Sequence, residues 1–252
     1  MEFYDKLGGQ YNLMIDWKSR LEHETPFFER IFSELKAESV LDAGCGTGRH
    51  AVLYSKLGLR AFGFDPSREM VRLASEYAQK ADAHVEFRHA DFEDINRVFK
   101  RKFHVVTCIG NTLPHLRTHE ELRAALRQMA EVTRKHGALI IQNRNYDKIC
   151  KQQIRFAPAG HAKANGSEVI FLRITEFHRE SLVFSILTLE RKAGTESWAT
   201  SSVSTELRPW KQRQLSQALR DAGYEQIDFY ENYLLDTYRK HESDDLVVVA
   251  RK

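Results

Sequence analysis

The sequence predicts an α/β fold: a doubly wound, seven-stranded, mostly parallel sheet with a small antiparallel β insertion after the fifth strand. Three observations carry that expectation. Between residues 39 and 145, short apolar runs alternate four times with helix-like segments, the pattern of a parallel sheet covered on both faces. The first run, Val40-Leu41-Asp42-Ala43, passes straight into Gly44-Cys45-Gly46-Thr47-Gly48, a turn in which glycine permits positive φ and close approach of backbone to a ligand. Between about 146 and 207 the helical pattern gives way to branched and aromatic runs, and the α/β pattern then returns.

Residues 1–37 precede the first β-α unit and read as an N-terminal helical segment. Within it, Thr25-Pro26 has the form of an N-cap followed by proline at the first helical position, and Phe27, Phe28, Ile31, Phe32 and Leu35 mark one apolar face. Upstream, Tyr4, Tyr11, Trp17 and Arg20 place aromatics and a cation in a stretch without core periodicity. Such a stretch either packs on the domain or closes over a ligand as a lid.

Strand 39–42 leads to helix 49–57, and strand 61–65 to helix 67–80. Strand 85–89 leads to a short helical piece near 92–99, and strand 104–109 to helix 120–135, which His136-Gly137 stops. Strand 138–142 closes the series. Runs at 169–177, 182–189 and 199–207, separated by glycine or charged turns, form the inserted antiparallel sheet. Helix 211–222 and strands 224–230 and 246–250 complete the chain. The expected organisation is a segment 1–37, a main domain made of 38–145 and 208–252, and an inserted subdomain 146–207.

The 252 residues carry 38 Lys plus Arg against 35 Asp plus Glu, a net +3, which argues against dedicated nucleic-acid binding. The densest basic cluster, Lys100-Arg101-Lys102 with Arg97, reads as a solvated connection. No stretch has the length of a membrane span, and the first residues lack the pattern of a secretory signal. Cys45, Cys108 and Cys150 are odd in number and widely spaced, so neither a disulfide framework nor a metal site is expected, and a cytoplasmic location fits. Asn165-Gly166-Ser167 matches a glycosylation sequon but reads as a turn.

The glycine turn has the spacing G-x-G-x-G, so the dinucleotide pattern G-x-G-x-x-G is not met. Asp65 ends the second strand 21 residues after Gly44, where an acid accepts hydrogen bonds from both ribose hydroxyls of a nucleoside. Acids also stand at Asp42 and Asp91, so three successive strand ends carry one. Gly44, Gly46, Gly48 and Asp65 together resemble motif I and the second-strand acid of class I S-adenosylmethionine-dependent methyltransferases. That resemblance implies the methyltransferase version of a Rossmann-like fold, with an antiparallel last strand. It also implies S-adenosylmethionine as methyl donor and S-adenosylhomocysteine as product.

The resemblance distributes roles along the chain. Asp42 holds the donor's amino group and Asp65 its ribose. Asp91 and Phe92 lie by the adenine, with Met70 on its other face and Ile109 at the fourth strand end. Asp91 alternatively caps its helix, and Met70 alternatively belongs to the core. Cys108-Ile109-Gly110-Asn111-Thr112-Leu113-Pro114-His115-Leu116 and Arg144-Asn145-Tyr146-Asp147 are similar to the G-N-S/T-x-x-H-L and R-N-Y-D runs of the glycine/sarcosine N-methyltransferase family. That likeness implies that Asn111 and Arg144 position an amino-acid acceptor, Arg144 by pairing with its carboxylate. It implies that Arg20 pairs with the donor's carboxylate and that His115 touches the donor's methionine tail or braces its own loop.

A guanidinium's planar fork suits a carboxylate, although Arg144 alternatively pairs with Asp147. Tyr11, Trp17 and Tyr146, with Tyr4, offer an aromatic wall for a methylated ammonium, or pack ordinarily. The expected activity is methyl transfer to the amine of a small molecule: glycine, sarcosine or a related amino acid. An amino-sugar or hydroxylated acceptor, or a non-catalytic donor-binding module, remains as the alternative. Expected partners are the small-molecule amine, with no nucleic acid and no membrane; a homo-oligomer is left open.

Overall fold

The computed structural model describes residues 2–164 and 166–252, so Asn165 of the sequon lies outside the described residues. Seven strands form the main sheet: β1 (Ser39–Ala43), β2 (Arg60–Asp65), β3 (Val85–His89), β4 (Phe103–Cys108), β5 (Thr133–Arg144), β10 (Gln226–Tyr230) and β11 (Asp245–Arg251). Their spatial order is β10-β11-β5-β4-β1-β2-β3. Strands β1 to β5 pair in parallel, whereas β11 runs antiparallel to both β5 and β10. The strand order reverses between β1 and β4, so a crevice opens beyond their carboxyl ends, where ligands bind in sheets of this kind.

Side-chain alternation along these strands builds two cores. Leu41, Val106, Leu139, Ile141 and Val248 face helices α6 (His119–Val132) and α8 (Gln212–Asp221), which contribute Leu122, Leu126, Met129, Leu215 and Leu219. Val40, Val105, Ile140, Val247 and Val249 face the opposite way, against Phe27, Phe28, Ile31 and Phe32 of helix α2 (Trp17–Glu34) and Tyr54 of helix α3 (Arg49–Lys56). A parallel sheet needs both faces covered, and these two layers cover them. Helix α4 (Arg68–Lys80) packs on β2 and β3, with the Ser67 hydroxyl capping its start by accepting from Met70 N.

The structure corrects three local expectations. Helix α2 does not begin at Thr25: it begins at Trp17, capped by the Asp16 side chain, and passes through Pro26. Proline there frees the carbonyl of Glu22, but Glu22 and Pro26 both lie on the exposed side, where solvent satisfies it. The Thr25 hydroxyl meanwhile donates to Leu21 O at 2.6 Å. Second, His136-Gly137 does not stop a helix. Helix α6 ends at Val132, and residues 133–144 are one long strand whose register against β4 shifts between Phe103 and Val105. His136 (φ 62°) takes the left-handed turn of that irregularity, and a Cβ on Gly137 would stand 2.6 Å from His104 O. Third, the inserted sheet has four strands, not three: β6 (Phe156–Ala164), β7 (Ser167–Phe177), β8 (Leu182–Arg191) and β9 (Ala199–Leu207), preceded by helix α7 (Tyr146–Gln152).

Helix α1 (Glu2–Leu7) and a 3-10 turn (Gly8–Leu13) lie against the insert. Phe3 and Leu7 pack with Phe171 and Ile186, and a Cβ on Gly160 would come within 2.8 Å of the Met14 backbone. Arg97, Lys100, Arg101 and Lys102 are all exposed, and the Arg101 guanidinium sits 4.6 Å from the Phe62 ring centroid. Among the described residues no helix is long and apolar enough to cross a membrane.

Candidate active site

The crevice at the switch point is lined by residues from both glycine-bearing loops and from the N-terminal segment: Gly44, Gly46, Asp42, Asp65, Met70, Ile109, Tyr11, Trp17, Arg20 and His115 all reach it. The three glycines of the turn do different work. All have positive φ, yet only Gly46 faces open space, with nothing within 4 Å of an added Cβ. A Cβ on Gly44 would meet Thr112 Cγ2 at 2.5 Å, and one on Gly48 would meet Ala74 and Phe87 at 2.8 Å. Gly44 therefore lets the loops after β1 and β4 touch, and Gly48 lets the turn settle onto α4 and β3.

Asp65 is held where the turn ends. Its Oδ2 accepts from Gly46 N at 2.9 Å and its Oδ1 from Ser67 N at 2.8 Å. Burial nevertheless pushes its carboxyl up to about 6, against the pull of those two amides. Asp42 is buried too, accepts from Thr107 Oγ1 at 2.8 Å, and is raised by desolvation. Beside them runs a compensated chain of charges: Arg20 Nε donates to Glu24 Oε1 at 2.8 Å, and Glu24 Oε2 accepts from His50 Nε2 at 2.6 Å. Arg20 also lies 5.3 Å from the Trp17 ring centroid, and its guanidinium has further donors beyond Nε.

The crevice adjoins a larger cavity of about 490 Å³, and Tyr4, Tyr11, Arg20, Gly110 and His115 line both. Asn111 and Arg144 also line it. Asn111 adopts φ 66° after Gly110 (φ 77°), a left-handed pair that a web of bonds holds in place. Gly110 N donates to Gln142 Oε1 (2.9 Å), Asn111 N to Gln142 O (3.0 Å) and Arg144 N to Asn111 Oδ1 (3.0 Å). Tyr146 Oη also donates to Asn111 Oδ1 and accepts from its Nδ2. The Asn111 side chain thus ties the β4 and β5 loops together, and Tyr146 is buried behind it. Arg144 does not pair with Asp147, which instead accepts from Gln212 N and lies 3.6 Å from Lys240.

The N-terminal segment bridges the two spaces. Thr47 Oγ1 donates to Asn12 Oδ1 (2.9 Å), Ser67 Oγ donates to Asp5 Oδ1 (2.5 Å), and Tyr4 Oη shares a 3.0 Å hydrogen bond with His115 Nε2. Burial lowers His115 to about 4, so its ring is neutral at pH 7.

Comparison with known proteins decides the class. A family model described as a methyltransferase domain matches residues 40–137, the β-α units that carry the glycine turn and Asp65. The chain is 33% identical over 148 residues to a glycine/sarcosine N-methyltransferase of Parasynechococcus marenigrum (strain WH8102), covering 59% of this chain and 52% of that protein. It is 26% identical over 255 residues to a glycine/sarcosine N-methyltransferase of Aphanothece halophytica, covering 100% of this chain and 90% of that one. The fold matches that of CalS10 from Micromonospora echinaspora, an amino pentose methyltransferase solved with S-adenosylmethionine bound. The TM-score is 0.76 at 20% identity, over 94% of this chain and 92% of that one.

The chain carries the methyltransferase domain of a class I S-adenosylmethionine-dependent enzyme.

The residues of this methyltransferase suit its cofactor. Gly46 leaves space for it above a buried carboxylate, Asp65, that has no cation against it among the described residues and that two ribose hydroxyls can satisfy. When bound, the cofactor supplies an electrophilic methyl group.

Three of the residues singled out in the sequence do not line the crevice or its neighbours: Gly48, Asp91 and Phe92. Asp91 is exposed, and Phe92 packs on Phe64 in the core. Conversely, Glu24, His50, Thr112 and Arg173 of the methyltransferase reach these cavities without having been foreseen. Glu24 was findable, four residues past Arg20 on one helix, whereas nothing local marks Arg173.

Proposed function

We propose that this methyltransferase acts on the amine of a small amino acid of the glycine and sarcosine class. The observation that carries this reading is Arg144. Its guanidinium lines the larger cavity, beside the donor crevice, and among the described residues it makes no ion pair. A carboxylate seated on that fork would leave its amine free to face the donor. The names of the relatives agree, since two of them are glycine/sarcosine N-methyltransferases.

Transfer of a methyl group from a sulfonium to an amine is an in-line displacement, so the chain's own task is alignment and exclusion of water. Gly46, Asp65, Met70 and Ile109 would seat the nucleoside, Arg20 the donor's carboxylate, and Tyr4, Tyr11 and Trp17 would close the space. The amine attacks in its neutral form, and with His115 neutral at pH 7 no added cation opposes the sulfonium there. We assign residues 38–145 and 208–252 to donor binding, 146–207 to the acceptor side and 1–37 to the cover.

Arg144→Ala tests the reading. The KM for a carboxylate-bearing amine should rise by about 10- to 100-fold, the worth of a charge-assisted hydrogen-bonded pair, while calorimetric donor affinity stays within about twofold. Unchanged acceptor kinetics would remove Arg144 from that role. A second reading, an amino-sugar acceptor, draws on the breadth of the 490 Å³ cavity and on the likeness to an amino pentose methyltransferase. A mass-spectrometric acceptor screen counting added methyl groups separates the two. A protein that binds donor yet labels no acceptor would be a non-catalytic module.

A further inference from the structure

The larger cavity contains a second cation that the amino-acid reading leaves idle. Arg173 projects from β7 of the inserted sheet and lines the same 490 Å³ cavity as Arg144. Both also line an adjoining cavity of about 350 Å³, together with Asn111 and Tyr146. Among the described residues neither guanidinium has an ion pair, although most arginines of this chain that touch a carboxylate do so at short range, such as Arg20 on Glu24 and Arg191 on Glu168.

The carboxylates that reach these cavities do not offset both cations. Glu24 is taken by Arg20 and His50, and Asp244 is held by Lys148 at 2.6 Å. Asp245 stands opposite Arg144 in the β5–β11 register, raised by burial and drawn down again chiefly by Arg144. One carboxylate therefore faces two guanidiniums. Arg173 bears the cost: burial and then the Arg144 charge lower it to about 10. A half-buried cation set against a second cation, with only Asp245 to offset the two, is a poor structural choice and a good receptor for an anionic ligand.

We propose that the natural acceptor is an amine bearing two anionic groups, one carboxylate on Arg144 and a second carboxylate or phosphate on Arg173. This deepens the amino-acid reading and rests on it. Arg173 is then the specificity-determining residue that the inserted sheet contributes. The added sheet thereby has a chemical task besides roofing the site.

The test is a steady-state panel with the full chain and saturating donor. It compares glycine and sarcosine with aspartate and glutamate, which supply a second carboxylate, and with O-phosphoserine, which supplies a phosphate. The expected result is a kcat/KM at least about tenfold higher for one of the doubly anionic amines than for sarcosine, as one further charge-assisted contact would give. Arg173→Gln should lower the doubly anionic amine more than it lowers sarcosine, again by about tenfold and mainly through KM, with Arg173→Lys restoring part of the difference. Which arm responds tells carboxylate from phosphate. Transfer to glycine or sarcosine with no preference for any doubly anionic amine in the unmodified protein overturns the second-anion proposal alone. Transfer to no amino acid of either kind overturns it together with the reading beneath it. Because the first comparison uses the unmodified protein, a misfolded variant does not rescue the idea.

Discussion

The crevice beside β1 and the cavity beneath the inserted sheet are neighbours built on different principles. In the first, Arg20, Glu24 and His50 form a closed hydrogen-bonded run, and Asp65, which has no cation against it among the described residues, rests on two backbone amides. In the second, two guanidiniums share a cavity with one carboxylate that neither settles fully. The contrast teaches that the donor side is pre-organised for a ligand that arrives with hydroxyl donors and its own zwitterion. On the proposal above, the acceptor side would select its ligand by an imbalance of charge.

The largest effect should come from breaking the donor side at Asp65. Asp65→Ala removes the ribose acceptor and leaves two buried amides unmatched, so donor affinity measured by calorimetry should fall by about 100-fold. A loss below about threefold would mean that the ribose is read elsewhere.

A tenfold effect is expected from pH alone. Because burial raises Asp65 from 3.8 to about 6, its contribution to the unliganded protein is unfavourable in the charged form. That penalty is absent below about pH 4, grows as pH rises through the window to 6, and is complete above it, on the order of 3 kcal/mol. Donor hydroxyls need the charged carboxylate, so affinity should climb with pH to a plateau above about 6 and be about tenfold weaker at pH 5 than at pH 7. Asp65→Asn should flatten that slope, and an unchanged slope would assign it to another group. On the acceptor side, Arg173, lowered only to about 10, should stay charged at pH 5.

The smallest effect sharpens the comparison at the seam. Tyr4→Phe deletes one hydrogen bond to His115, which touches both spaces, and should cost about fivefold in acceptor KM with little change in donor affinity. An equal effect on both ligands would place Tyr4 on the donor side instead.

The same division governs how much could be read in the sequence. Strands β1, β2 and β4 are short, largely apolar runs and β3 an alternating one, so their limits were legible to within a residue or two. The donor residues sit at the tips of those strands and are marked by their neighbours along the chain, a glycine turn after β1 and an acid closing β2. His136-Gly137 misled because glycine there serves close approach to His104 O rather than a helix stop. Strand β6 escaped notice because Pro158 and Gly160 interrupt it, and its register shifts between those two residues. The acceptor side is assembled from Tyr4, Arg144 and Arg173, separated widely along the chain, and Arg173 is one polar position in an amphipathic strand. Only the folded chain shows that it lines the same cavities as Arg144.

Asn12 on Thr47 and Asp5 on Ser67 fasten a stretch of barely a dozen residues to both turns of the donor side, while Phe3 and Tyr4 of the same stretch touch Phe184 and His115. We expect the nucleoside to enter first and the amine second, with the spent nucleoside departing only after residues 2–13 let go, so that product inhibition studies return an ordered pattern and a random one would refute it.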